Sequence, residues 1–259
     1  MAARYSSGPR LFLSNVRLCF SDPLPHRMEL SESESHYVRN VLRLEPGTQL
    51  EVGDPTSGTI GLATIESARA AVTISISAWA RDDRPQQRPI IILCALCKGD
   101  KNEQICDWST ELGCIEIHFW QSPRSVVRLK GPSDYEHRAT RLAKIATAAA
   151  QQSRQPRPPH VAVHSSLEAA LRVLSNQSNL NYYLCSLAPD SRALIEVCHE
   201  SDATTPAVII VGPEGDITPD EHSLVVSQAR AIPVTLGPSV LRSELAVVSA
   251  IALLRAAHA

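Results

Sequence analysis

The sequence predicts an α/β protein in two parts, a small antiparallel β-domain followed by a larger domain whose mostly parallel sheet is covered by helices on both faces. Three observations carry this. The polar segment Ala80–Pro89 holds two prolines between apolar runs and reads as an interdomain linker. Before it, short alternating runs are separated by turn residues. After it, apolar strand-like runs alternate with helical ones. The 259 residues exceed one typical domain, and a 44% hydrophobic content can fill a sizeable core. The expected boundaries are a β-domain over 1–80, a linker over 81–89 and an α/β domain over 90–259.

In the first part the runs Thr48–Val52, Thr59–Ile65 and Ala71–Ile76 are bounded by Gly47, by Gly53-Asp54-Pro55 and by Ser67. One helix is expected at Ser33–Leu42, where Tyr37, Val38, Val41 and Leu42 recur at helical spacing. In the second part the expected strands are Ile90–Leu96, Ile115–Trp120, Val161–Val163, Tyr182–Leu187, Ala207–Val211 and Pro233–Leu236. Helices are expected near Asn102–Leu112, Asp134–Gln152, Ser166–Leu174, Pro219–Ala229 and Glu244–His258. The fourth has a strong start signal, because Thr218-Pro-Asp-Glu221 supplies a capping hydroxyl, a first-turn proline and a reciprocal glutamate.

Composition excludes several classes. The longest apolar runs, such as Ile90–Leu96 and Ala246–Leu254, fall far short of the roughly 20 residues of a membrane span. No apolar stretch precedes a small-residue cleavage site near the start, so no secretory signal is supported and a cytoplasmic address is expected. Seven cysteines, mostly within apolar runs, suit buried reduced thiols. Cys94 and Cys97 form a C-x-x-C pair, but on a strand residues three apart face opposite ways, so a shared metal ion is not expected. No G-x-G-x-x-G follows a strand, no G-K-[ST] loop occurs and no G-x-S-x-G elbow is present, which removes dinucleotide, P-loop and hydrolase readings.

The net charge of −2 gives no global sign of a nucleic-acid partner. Locally, Gln121–His160 carries eight basic residues against two acidic ones. Such a run is either a solvated face or a footprint for a phosphate backbone. Arg138, Arg141 and Lys144 fall near one face of a single helix and, with Arg124, are the candidates for the second role.

Two strand exits carry the chemistry. Ala207–Val211 runs into Gly212-Pro-Glu-Gly215 and then the capped helix, and Thr235-Leu-Gly-Pro-Ser-Val-Leu-Arg-Ser-Glu244 repeats the pattern of strand, glycine turn and helix. Ligands dock at the carboxyl ends of strands in open α/β sheets, and glycine there lets the backbone come close.

Together, "VGPEG" and "LGPSVLRSELA" resemble the C-terminal signature of the bacterial 16S rRNA uracil-N3 methyltransferases, the RsmE family of the SPOUT superfamily. The resemblance extends to "HYVRNVLRLEPG" (His36 to Gly47), "KGDKNEQICDWSTELG" (Lys98 to Gly113) and "SPRSVV" (Ser122 to Val127), and so covers nearly the whole chain. It implies an N-terminal PUA-like barrel, a C-terminal domain with a trefoil knot in about 180–259, a homodimer packed through the knot helices, and S-adenosylmethionine held by three loops. No metal is implied. The loops correspond to Cys185–Ala188, Gly212–Gly215 and Leu236–Arg242. They offer Ser186 and Leu187, then Gly212, Pro213, Glu214 and Gly215, then Leu236, Gly237, Val240, Leu241 and Arg242. A neutral adenine edge and a sulfonium call for backbone hydrogen bonds and an apolar slot rather than a basic cradle.

The implied reaction methylates N3 of a uridine in 16S rRNA, within the small ribosomal subunit. Arg242 and Glu244 are the catalytic candidates: Arg242 to stabilise charge on a uracil carbonyl, Glu244 to orient Arg242 or take the proton. Glu244 equally suits a plain helix-start role. His36, Arg39 and Arg43 would contact RNA from the barrel, where the alternative is an ordinary polar helix face. Trp108 and Trp120 could stack on bases, although a strand-end tryptophan such as Trp120 commonly belongs to the core. The chain departs from the family pattern at Asp216, Leu245, Trp108 and Gln151. These departures leave two other readings, a SPOUT enzyme acting on another RNA site and an RNA-binding homologue without turnover.

Overall fold

The computed structural model describes residues 8–14, 17–69, 71–80 and 87–257. Most of the expected linker, residues 81–86, and His258 at the expected end of the last helix lie outside the described residues. The chain divides into two compact units. One comprises residues 1–85 together with Ala150–Pro158, and the other comprises 86–149 and 159–259.

The first unit is built on a five-stranded sheet. Its elements are β1 (Arg10–Phe12), β2 (His26–Glu29), α1 (Glu32–His36), β3 (Gln49–Gly53), β4 (Ile60–Ala68) and β5 (Val72–Ala80). The order is β1-β3-β4-β5-β2, antiparallel throughout except that β1 runs parallel to β3. Alternate residues of β3, β4 and β5, including Leu50, Val52, Ala63, Ile65, Val72, Ile74 and Ile76, close over one core with Val38 from the helical segment. β1 and β2 had no counterpart in the sequence reading, since Arg10 and His26-Arg27 break the apolar signal. Arg10 is nevertheless buried, its guanidinium bonded to Glu51 at 2.7 and 3.0 Å. The expected helix over Ser33–Leu42 is two pieces: α1, fixed by a capping box between Ser31 and Glu34, and a π-helical turn over Tyr37–Val41.

The second unit holds a seven-stranded parallel sheet. Its strands are β6 (Ile90–Ala95), β7 (Glu116–Trp120), β8 (His160–His164), β9 (Asn181–Cys185), β10 (Arg192–Ala193), β11 (Ala207–Val211) and β12 (Ile232–Thr235). Its helices are α2 (Lys101–Glu111), α3 (Pro132–Gln152), α4 (Leu167–Leu174), α5 (Leu194–His199), α6 (Pro219–Ser227) and α7 (Ser243–Ala257). The order β10-β12-β9-β11-β6-β7-β8 sets β11 and β6 at the centre, and both are buried at every residue. The period of two is visible in β6: Ile90, Ile92 and Cys94 face α2, α3, α5 and α7, while Ile91, Leu93 and Ala95 face α4 and α6. The sequence reading lacked β10 and α5, a two-residue strand and a six-residue helix too short to carry a period.

Two local expectations change. β9 ends at Cys185 rather than Leu187, because Ser186 and Leu187 leave the sheet to line a cavity. β6 ends at Ala95, so Cys94 and Cys97 do not lie on one strand, and both thiols donate to the carbonyl of Ala95, at 3.4 and 3.3 Å. The opposite-face argument for this pair therefore does not hold. Among the described residues no group of three or more His, Cys, Asp or Glu side chains is arranged to hold a metal ion.

Candidate functional site

Three neighbouring strands, β9, β11 and β12, end on the same side of the parallel sheet. Their exits and the start of α7 line a single cavity of about 320 Å³. Ser186 and Leu187 come from the first exit, Gly212, Pro213 and Glu214 from the second, and Leu236, Val240, Leu241 and Arg242 from the third. Nine of the eleven residues expected to hold the methyl donor thus share one wall, and Gly215 and Gly237 lie just outside it. Cys185 and Ser239, from within the expected loops, complete the lining with Val211, Asp216, Val234, Ser243 and Ala246, which lie outside them. Cys185, Val211 and Val234 are strand-end residues whose apolar character signals core, not contact with a ligand.

Each exit has its own local cause. Ser186 donates its backbone N–H to Val234 O at 2.9 Å, and its hydroxyl accepts from the N–H of Ala188 at 3.1 Å, which turns the chain after β9. The Thr235 hydroxyl donates to Gly237 O at 2.9 Å, and Gly237 has a φ of +140°, a conformation that favours glycine. Asp216 holds a left-handed φ of +61° and accepts from the N–H of Ile217 at 2.7 Å, the local bond that makes aspartate tolerable in a conformation that favours glycine. The Ser243 hydroxyl donates to Gly212 O at 3.0 Å and so pins the head of α7 to the exit of β11.

Charge at the site centres on Lys101, at the head of α2. Its ammonium lies 2.7 Å from Glu214 and 3.7 Å from Glu244. The Glu214 hydrogen bond raises the Lys101 pKa. Burial alone would raise Glu214, but the Lys101 ammonium and backbone N–H groups outweigh it and hold this carboxyl below its ordinary range. Lys101 was within reach of sequence reasoning, since it stands in the K-G-D-K stretch of Lys98–Lys101, but its partner is 113 positions away and no local pattern points to it. Burial pushes the Cys185 thiol up to about 12, so it acts as apolar lining.

The two catalytic candidates differ in placement. Arg242 lines the cavity with its side chain 78% exposed, whereas Glu244 is 93% buried and is not part of the lining. The Glu244 carboxylate reaches Arg242 Nε at 3.6 Å through Oε1, and its Oε2 makes no hydrogen bond.

The basic candidates are dispersed. Arg124 bonds backbone carbonyls of the Gly215–Ile217 loop. On α3, Arg141 pairs with Glu103, Lys144 is exposed and Arg138 is half-buried. In the first unit His36 is exposed and Nδ1 meets the Asn40 amide at 2.8 Å, Arg39 donates to Ser35 O at 3.2 Å, and Arg43 is exposed at a φ of +54°. Trp120 is wholly buried with its indole N–H on Glu221, which removes it as a base-stacking residue, and Trp108 is 37% exposed.

A parallel α/β domain with an apolar cavity across neighbouring strand ends defines a small-ligand-binding enzyme class. Its family is given by sequence. Residues 84–255 match the model of the RNA methyltransferase domain and residues 30–76 that of the RNA methyltransferase PUA domain, and the chain belongs to this RNA methyltransferase family. Curated relatives named ribosomal RNA small subunit methyltransferase E include one from Bacillus subtilis, 29% identical over 84% of this chain and 85% of its own length. Another, from Mycobacterium bovis, is 29% identical over 82% of this chain and 80% of its own length. The fold is shared with a crystal structure of a ribosomal RNA small subunit methyltransferase E from Neisseria gonorrhoeae bound to S-adenosyl methionine. Its TM-score is 0.80 at 24% identity, over 95% of this chain and 96% of that one. A putative methyltransferase from Legionella pneumophila in complex with the same cofactor has a TM-score of 0.81 at 23% identity, covering 97% and 98%.

Proposed function

We propose that this chain transfers a methyl group from S-adenosylmethionine to N3 of a uridine in 16S rRNA, as an RsmE-type enzyme. The observation that carries the reading is the convergence of the two glycine-proline exits and the Ser186 turn on one cavity, in a chain of the RNA methyltransferase family. The named relatives and the donor held by two proteins of the same fold support the substrate and cofactor.

The residues present fit the donor. The lining is apolar at Leu187, Leu236, Val240 and Leu241 and offers backbone groups at Gly212 and Pro213. Its one basic side chain is Arg242, and Glu214 supplies a carboxylate suited to a cationic sulfonium. When bound, the donor supplies an electrophilic methyl carbon on sulfur. Transfer would form the uracil N3–C bond and break the C–S bond, leaving a neutral thioether, and the N3 proton would pass to solvent water.

Arg242 stabilises the negative charge that spreads onto the uracil carbonyl oxygens. Glu244, buried behind it, holds the guanidinium in place and is the orienting carboxylate in preference to the base. Lys101 fixes Glu214 and neutralises part of the acidic pair. His36, Arg39 and Arg43 of the PUA-like unit, with Arg138, Arg141 and Lys144 on α3, contact RNA phosphates. The same reading includes a trefoil knot in about 180–259, a homodimer through its helices, a substrate assembled in the small subunit and a cytoplasmic location. The insertion of β12 between β9 and β10, followed by the return of α7 over β11, supports the knot. Among the described residues no helix is long and apolar enough to cross a membrane.

The test is transfer of labelled methyl to small-subunit RNA, with the product identified as N3-methyluridine. Labelling at another position would move the chain to a different RNA target, and donor binding without transfer would favour an RNA-binding role.

A further inference from the structure

The segment after β7 touches the donor loop at two levels. Arg124 lies on an exposed turn, and its Nη1 donates to Gly215 O at 3.1 Å and to Ile217 O at 2.9 Å. These carbonyls flank Asp216, the one residue of the cavity wall held at a left-handed φ. Beneath this contact the buried Glu221 carboxylate accepts from Trp120 Nε1 at 2.8 Å, from the Ser122 hydroxyl at 2.9 Å and from the N–H of Thr218 at 2.9 Å. The Ser122 hydroxyl also accepts from the N–H of Arg124 at 3.2 Å. Arg128 secures the same turn from the other side, donating to the carbonyls of Ser122 and Pro123 at 2.9 and 2.6 Å.

A guanidinium with two carbonyl acceptors is committed to a fixed geometry, and a charge-assisted bond of this kind is stronger than a neutral one. Arg124 also packs against this loop, since a Cβ built on Gly215 would find Arg124 atoms as its nearest neighbours, at 3.5 to 3.9 Å. We propose that Arg124 is a positioning residue for the methyl donor: it clamps the Gly212–Ile217 loop in its binding conformation from the β7 exit. The inference rests on the donor-binding reading above. It moves Arg124 from the RNA surface, where its charge alone would put it, to the cofactor side of the reaction. It also makes the Ser122–Lys130 turn, which carries three basic residues, a part through which contact with RNA bears on the donor loop.

The experiment measures S-adenosylmethionine affinity by calorimetry, and KM for donor and for RNA separately, in the full-length chain and in Arg124→Ala and Arg124→Lys. Loss of two charge-assisted bonds predicts about a tenfold weaker donor affinity and a matching rise in donor KM. KM for RNA and its salt dependence stay unchanged, and lysine, a point donor, restores part of the loss. Unchanged donor affinity with weaker RNA binding and a salt slope smaller by about one would overturn the proposal and make Arg124 a phosphate contact. If alanine lowers the melting temperature, Arg124→Gln, which keeps a shorter polar side chain with an uncharged NH2 donor, decides on the same readouts. Absence of donor binding by the unaltered chain would overturn the donor reading itself, an outcome distinct from equal binding by both forms.

Discussion

Arg242 and Glu244 stand two positions apart at the head of one helix, yet one faces the cavity and the other is enclosed. This placement separates their expected phenotypes. Arg242→Ala should abolish transfer with little change in the melting curve, because its side chain is mostly exposed and Lys101 still faces the buried Glu244 carboxylate at 3.7 Å. Glu244→Gln should retain measurable transfer with the acidic limb of the pH–rate profile in place; loss of that limb would make Glu244 the base. Asp216 tests the backbone: Asp216→Ala removes the bond to Ile217 while keeping the left-handed strain, at a cost of about 1 kcal/mol, whereas Asp216→Gly should be neutral or slightly stabilising in thermal unfolding. Lys101 governs a pH effect. Its ammonium holds the Glu214 pKa below the ordinary 4.5, so the pair's contribution is complete above that value and is lost as pH falls through the lower folded-state pKa. Lys101→Met should flatten this part of the acid-unfolding curve.

At the scale of elements, Glu221 joins three pieces of chain: the end of β7, the Ser122 turn and the first turn of α6. Removing its carboxylate leaves two side-chain donors and one backbone donor without an acceptor in a buried place. Glu221→Ala should therefore cost about 3 kcal/mol in denaturant unfolding, several times the effect of a surface carboxylate. The capping box that contains Glu221 was plain in the sequence from Thr218-Pro-Asp-Glu221, but its second function, accepting from Trp120, was not, since that contact spans 101 positions. The same contrast runs through the sheet. Ile90–Ala95 and Ala207–Val211 were legible because central parallel strands are apolar on both faces. β10 and α5 were not, because two strand residues and six helical ones fall below any detectable period. In the first unit, Arg10 disguised β1: its charge reads as surface, and the distant Glu51, with the carbonyls of Arg154 and Gln155, lets it be core. The cavity-lining loops were legible through glycine and proline at strand exits, whereas Lys101, Ser243 and Arg124 reach them through partners remote in sequence.

Across the whole molecule, charge is nearly balanced at −2, yet the Gln121–His160 stretch is strongly basic. If Arg138, Arg141 and Lys144 meet phosphates, RNA affinity should fall steeply with salt, and replacing each exposed one by alanine should lower the slope by about one. Arg124→Ala should leave that slope alone, because its guanidinium serves the Gly215–Ile217 loop. The most direct trial of the account is nucleoside mass spectrometry of small-subunit RNA treated with this protein and S-adenosylmethionine. N3-methyluridine should appear at a single site, dependent on Arg242; RNA that emerges without it, from a preparation that binds the donor, would contradict the proposed reaction.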